Sequence, residues 1–489
     1  MGARWILMVG AAAALAAVGH ADAATDRGGA WSFISEPGLH PPSVRVTANR
    51  AGTAPGYVFV APIPGPQRPG RFAGQEGPAI LDGSGRPVWA NPLAHRNLAF
   101  DFRTQTYRGQ PVLTWWQGHL KPQGWGRGTD VVVDSSYRRI ARIRSAGGWR
   151  PDIHEFLITP RGRALITAYK PHRTSFARFG GPHKRGVLLE SVVEEVDIRT
   201  GKVLFRWNPL GEVSLRESRA IPVKDQPWDA FHLNSADVDA HGNLLVSARN
   251  TWTLYKVSRR TGRIAWRLGG RHSSFRMGRA TRFAYQHDAR FRGGSTVSLF
   301  DNEGAPPVRG RSRAVVLQLD RGHRRVGLVR QYPHPSGGLA GSQGNLQLLP
   351  NGNAFTGWGA EPSFSEFSPT GALLFDAHFH GPGESYRAYR KPWVGHPRRP
   401  PAIAVRGSTV YASWNGATEV ASWQVLAGPS AGALSRVGAA PRDGFETAMT
   451  VQSEGPFFAV RALDSGGRTL GTSKPTRPSS VDGRRSTVD

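Results

Sequence analysis

The chain has 489 residues, 60 of them glycine and 37 proline, with 39% hydrophobic residues. This balance excludes a disordered or collagen-like chain and fits a turn-rich all-β protein of more than one domain. Cysteine is absent, which excludes disulfides and thiolate chemistry. The 63 Lys+Arg against 35 Asp+Glu give a net charge of +28. The basic residues are scattered and accompany no nucleic-acid motif, so nucleic acid is not an expected partner. A general arginine bias or attraction of anionic substrates and surfaces both fit the charge.

Residues 1–23 read as an export signal: Arg4, an apolar run over 5–18, and the small-x-small site Ala21-Asp22-Ala23. This predicts a secreted or extracytoplasmic protein. Residues 24–39 read as an N-terminal linker. From 40 to 395 the chain repeats a unit of Gly-containing turn, apolar strand, second strand and Thr-Gly turn. The clearest copies are residues 241–267 and 162–207, with others at 293–320 and 351–375 and weaker ones at 79–89 and 111–143. About six such units, each with material for four strands, predict a six-bladed β-propeller. Residues 396–401 form a Pro-rich linker. Short alternating strands over 402–474 predict a small β-sandwich, Ig-like or fibronectin-III-like, a candidate for cell-wall or surface contact. Residues 475–489 read as a disordered tail.

Three histidines fall near matching places in successive units: His154, His232 and His287. Each is separated by an even number of residues from its turn glycine (Gly162, Gly242, Gly293), so strand alternation gives all three the same facing. Aligning the second strands places Tyr169, Arg249, Asp301 and Trp358 at equivalent positions. The expected site is therefore a cationic pocket of His154, His232, His287 and Arg249, walled by the substrate-binding aromatics Tyr169 and Trp358. Neutral imidazole is a nucleophile near pH 7, arginine holds a tetrahedral oxyanion, and aromatic walls suit a phenyl ring. Together these point to sulfuryl or phosphoryl transfer from an aryl ester. A three-histidine metal site and a purely structural role for the histidines are the competing readings. Glu155 and Asp288 each follow a histidine directly and are expected on the opposite face, outside the pocket. No phosphate loop, dinucleotide fingerprint or nucleophile elbow is present, so no cofactor is expected.

The motifs at residues 152–160 (D-I-H-E-F-L-I-T-P), 231–235 (F-H-L-N-S), 261–270 (T-G-R-I-A-W-R-L-G-G), 283–290 (F-A-Y-Q-H-D-A-R) and 349–353 (L-P-N-G-N) resemble, in this order, those of the bacterial aryl sulfotransferases that need no nucleotide donor. The resemblance is to the exported, actinobacterial-type branch. It implies a six-bladed propeller and a ping-pong reaction through a sulfated histidine, with an aryl sulfate as donor and a phenol as acceptor. It further implies His287 as nucleophile, His154, His232 and Arg249 as groups that bind and polarise the sulfuryl oxygens, and Asn234 as their assistant. Independently of the resemblance, the positive field of Arg249 beside three histidines opposes a divalent cation, so no metal is expected. Well-known members carry a disulfide, which this chain lacks. A non-catalytic propeller with an Ig-like module, binding an anionic glycan, cell-wall polymer or protein, is the alternative from another functional class.

Overall fold

The computed structural model describes residues 29–65, 71–94, 97–304, 306–453 and 455–478. The expected export signal lies outside them, as does the tail beyond 478. Strands and short 3-10 turns make up all the regular structure among the described residues, in agreement with the all-β expectation. No helix there is long and apolar enough to cross a membrane. The chain divides into two compact units. Residues 40–394 lie in the larger, and 32–39 with 395 onward in the smaller.

The larger unit holds six antiparallel sheets of four or five strands. Five of them start from a central strand: Leu98–Tyr107, Arg150–Ile158, Leu233–Val238, His287–Phe291 and Asn345–Leu348. The remaining one joins both ends of the unit, with Tyr389–Lys391 pairing beside Tyr57–Val60. Alternation explains how the sheets stack. On Leu244–Ala248, Leu244 and Val246 enter one core with Leu165, Val193 and Tyr255. Leu245 points the other way, into a core with Leu299 and Leu317 of the next sheet. A middle strand such as Leu244–Ala248 thus buries both faces and reads as a continuous apolar run, whereas outer strands such as Arg325–Pro333 are largely exposed.

A repeated polar clasp joins the central strands in sequence. Asp101 accepts from the Phe156 N–H at 3.2 Å, Glu155 from Ala236 at 3.2 Å, and Ser235 from Ala289 at 2.9 Å. Asp288 then accepts from Leu346 at 3.0 Å and Asn345 from Ala388 at 2.9 Å. In every strand after the first, the clasping side chain immediately precedes the residue whose N–H is clasped. Arg387 closes the circle by donating to Asp101 at 2.9 Å. Register shifts interrupt four of these strands beside the clasp, and Asp101 and Asp288 take positive φ. The bulges let one residue turn away while the next enters the clasp.

In the smaller unit, Ala402–Arg406, Thr409–Ser413 and Glu446–Thr450 form one sheet. Ala433–Pro441, Ser422–Ser430, Phe457–Leu463 and Thr469–Thr472 form the other. Val405, Val410 and Ala412 meet Trp423, Val425, Phe458 and Val460 in one core. Residues 32–39, read from sequence as linker, belong to this unit, where the Ile34 N–H donates to Glu446 at 3.0 Å. An isolated bridge from Phe458 to Thr476 carries ordered pairing two residues past the expected end of the sandwich.

Candidate active site

His154, His232, His287 and Arg249 line one cleft of about 580 Å³. His154 and His232 are adjacent, ring centroids 4.6 Å apart and nearly perpendicular. The clasp corrects the expected alignment. His154 and His287 each stand one residue before a clasping residue, and the equivalent position in the intervening sheet is Asn234. His232 reaches the cleft from two residues earlier, through a positive φ of 53° just before its strand.

Each imidazole is fixed through Nδ1. Asp152 holds His154, and Asp229 holds His232 at 2.6 Å. His287 has no carboxylate there. Its Nδ1 lies 2.7 Å from Asn302 Oδ1 and 3.1 Å from the Tyr285 carbonyl. The Asn302 amide nitrogen donates to the Ala340 and Gln343 carbonyls at 2.9 and 3.0 Å, so its oxygen must face His287. Both neighbours of Nδ1 are acceptors, so the proton sits on Nδ1 and the lone pair on Nε2. That lone pair accepts from the Gln343 N–H at 3.2 Å.

Burial lowers the His287 pKa well below the usual histidine value, and the Arg249 charge and the other two imidazoles lower it further. Burial also lowers His232, against the pull of Asp229. Arg249 leaves a 3-10 turn just after Leu244–Ala248. It stacks 4.6 Å over Tyr285 and donates to Asn250 Oδ1 and the Gly341 carbonyl. No carboxylate pairs with it among the described residues, so its charge is directed into the cleft. The outer part of the cleft interleaves apolar Leu120, Pro122, Ile221, Val223 and Pro227 with Lys121, Gln123 and Gln226, with Ile221 79% and Val223 54% exposed. The described residues contain no group of His, Cys, Asp or Glu able to hold a metal ion.

Three sequence-predicted binding residues lie elsewhere. Trp358 is buried between two sheets, 4.4 Å from His334 and 5.6 Å from Phe300, with its indole N–H on Ser365 at 2.8 Å. It walls no cleft, because the apolar core between those sheets takes the whole ring. Tyr169 is buried behind the histidines. It stacks 5.9 Å from His154 and donates to the Leu233 carbonyl at 3.0 Å. Asn234 turns its amide away, donating to the Gln286 carbonyl at 2.7 Å, and is no part of the cleft lining. Asp301 pairs with Arg313 at 3.1 Å.

Sequence reasoning missed Tyr386, Phe100, Asn250 and Gln343, which do line the cleft, and the orienting Asp152, Asp229 and Asn302. Tyr386 stands 5.7 Å from His154 and 6.4 Å from His287, one residue before Arg387 of the clasp. It is the counterpart of the histidines, in the bend just before the strand Tyr389–Lys391 of the sheet that joins the ends of the unit. Glu155 and Asp288, expected outside the pocket, are in the clasp, where Arg103, Arg290 and Arg387 neutralise them.

A search of curated proteins finds no match. Among solved structures, the chain is similar to a protein of unknown function from Bacteroides caccae (13% identity, 68% of this chain and 98% of that one, TM-score 0.42). Others are virginiamycin B lyase from Staphylococcus aureus (6%, 76% and 95%, TM-score 0.33) and a Lactobacillus plantarum protein (10%, 82% and 100%, TM-score 0.36). These likenesses are too loose to bear on fold or function. The arylsulfotransferase (ASST) family profile matches residues 103–380, more than half of the sequence and nearly the whole span from the clasp's first strand to its last. The chain belongs to the arylsulfotransferase family.

Proposed function

We propose that this chain is an exported aryl sulfotransferase that moves a sulfuryl group from an aryl sulfate to a phenol through a sulfated His287. The observation that carries this reading is the His287 imidazole, held neutral with Nδ1–H on Asn302 and Nε2 in a cleft beside the unpaired Arg249 charge. The phenyl ring of the donor rests on the apolar side chains of the rim, and its sulfate lies against Arg249, His154 and His232. His232 and His154 already give Nδ1–H to carboxylates, so each donates to an oxyanion through Nε2 only when protonated. Sulfate binding therefore draws a proton into the cleft. His287 Nε2 attacks sulfur in line as the S–O bond to the phenol breaks, and a neighbouring imidazolium protonates the leaving phenolate. The Gln343 N–H gives up Nε2 and turns to a sulfuryl oxygen. The acceptor phenol then passes its proton to the same imidazole, attacks sulfur, and releases neutral His287.

The six clasped sheets support a six-bladed propeller, its circle closed by Tyr389–Lys391 and Arg387. The smaller unit's three-plus-four strand arrangement supports an Ig-like or fibronectin-III-like sandwich, and surface contact through it is part of the proposal. The test is turnover of a chromogenic aryl sulfate. Release of the chromophore that rises with added phenol and yields the phenol's sulfate ester is the expected result. Release of inorganic sulfate independent of phenol contradicts transfer.

A further inference from the structure

A second cleft, about 860 Å³, opens where the central strands run out at their far ends, around Tyr107, Ile158, Asp237, Phe291 and Leu348. It shares no lining residue with the histidine cleft, and sulfuryl transfer makes no use of it. Its charges divide into two groups. Arg103 and Arg290 are committed to Asp101, Glu155 and Asp288 in the clasp. Arg292 and Lys391 are not committed to any carboxylate among the described residues. Arg292 donates only to neutral oxygens, Nε to Ser298 Oγ and Nη2 to the Leu346 carbonyl, both at 2.7 Å. Lys391 Nζ has no hydrogen bond or ion pair among the described residues.

Both cations are partly withdrawn from water. Burial lowers each, and Arg103 and Arg292 press the Lys391 ammonium down further. Holding like charges together out of water costs free energy unless an anion joins them. Asp288 and Asp237 offset the Arg292 charge in part through space, without an ion pair, and among the described residues no carboxylate eases Lys391. Asp237 is spent on the Phe291 and Val238 N–H groups, each at 2.9 Å, and Asp197 on Thr200. Exposed Arg108, Arg161 and Arg199, on turns at the rim, extend the positive field outward.

We propose that this second mouth binds a small polyanion bearing at least two tetrahedral oxyanion groups, sulfate or phosphate, one seated on Arg292 and Lys391 and the others on the rim arginines. The site stands independently of the sulfuryl-transfer reading. The test is calorimetric titration of the full chain at low salt with tripolyphosphate, sucrose octasulfate and, as the neutral control, sucrose. We expect one-to-one binding of at least one polyanion, weakened by salt, and none of sucrose. Which polyanion binds identifies the source of the oxyanion. The exposed pair Arg108→Ala/Arg161→Ala and, separately, Lys391→Met should each weaken it roughly tenfold or more. His154→Ala should leave it unchanged. Binding of neither polyanion, affinity unmoved by both variants, or binding lost in His154→Ala would overturn the proposal.

Discussion

His287 Nδ1 sits 2.7 Å from Asn302 Oδ1, and the Asn302 amide is itself locked by two carbonyls. The other two cleft histidines lean on carboxylates; this one leans on an amide. The amide raises the His287 pKa only in part against burial and the Arg249 charge, and being neutral it favours the protonated ring less than a carboxylate would. Asn302→Asp should therefore raise the His287 pKa and move the acid limb of the kcat/KM profile to higher pH. Asn302→Ala should lower kcat/KM roughly 10- to 100-fold, as loss of about 1–3 kcal/mol from a buried hydrogen bond implies. A pH–rate series on both variants checks this. An unmoved acid limb in Asn302→Asp would contradict it.

The depressed histidines set the pH behaviour. His287 must be neutral to attack, so kcat/KM falls only as pH drops through a value below the ordinary histidine range. His232 gives Nδ1–H to Asp229 and needs a further proton to donate to the sulfate through Nε2, so donor affinity falls as pH rises. The profile is a bell. Stability carries the same sign. His232 and His287 are depressed in the fold, so below their unfolded value near 6.5 the unfolded chain binds more protons. Their contribution is present above that pH and is lost as pH falls. Titration calorimetry of donor binding in buffers of different ionisation enthalpy should register proton uptake, and Arg249→Met should slow transfer roughly 10²–10³-fold.

Burial alone would raise the Glu155 carboxyl, but Arg290, Arg387 and Arg103 overcome it and hold the group ionised. The contacts are 2.7 Å to Arg103, 2.7 Å to Arg290 and 3.3 Å to Arg387. Glu155→Gln leaves three buried guanidiniums under-compensated and should cost about 3–5 kcal/mol. Thermal or denaturant unfolding measures it, and a loss under 1 kcal/mol would contradict the clasp's role in closing the circle.

Tyr169 and Trp358 separate core from cleft. Tyr169→Phe removes one buried hydrogen bond, about 1 kcal/mol of stability. Trp358→Ala should cost about 3–5 kcal/mol. Neither should change KM for an aryl sulfate in protein that remains folded. Ile221→Ser, at the exposed rim, should raise KM roughly 5- to 30-fold, as loss of about 1–2 kcal/mol of apolar contact implies, with kcat unchanged. Steady-state kinetics beside unfolding curves distinguish the two classes.

The all-β class and the repeating sheets were legible because turn glycines and apolar runs recur along the chain. The meeting of His154, His232, His287 and Arg249 was legible for the same reason. What stayed hidden has specific causes. The bulges at Pro151–Phe156 and His287–Arg290 break simple alternation, so even spacing matched His232 where the clasp matches Asn234. Tyr386 escaped because it lies in a bend just before Tyr389–Lys391, a strand that completes a sheet begun some three hundred residues earlier, and no local repeat marks it. Trp358 aligned correctly by position, but the same position faces the cleft at Arg249 and the core at Trp358. Asp152, Asp229 and Asn302 act by contacts that spacing alone does not encode.

The central claim is that His287 carries the sulfuryl group. Protein mixed with an aryl sulfate in the absence of acceptor, quenched at alkaline pH and digested, should show the mass of one SO₃ on the peptide containing His287. The label should vanish on adding a phenol and be absent from His287→Ala. Labelling that persists in His287→Ala, or a wild-type enzyme that turns over with no label at all, would contradict it.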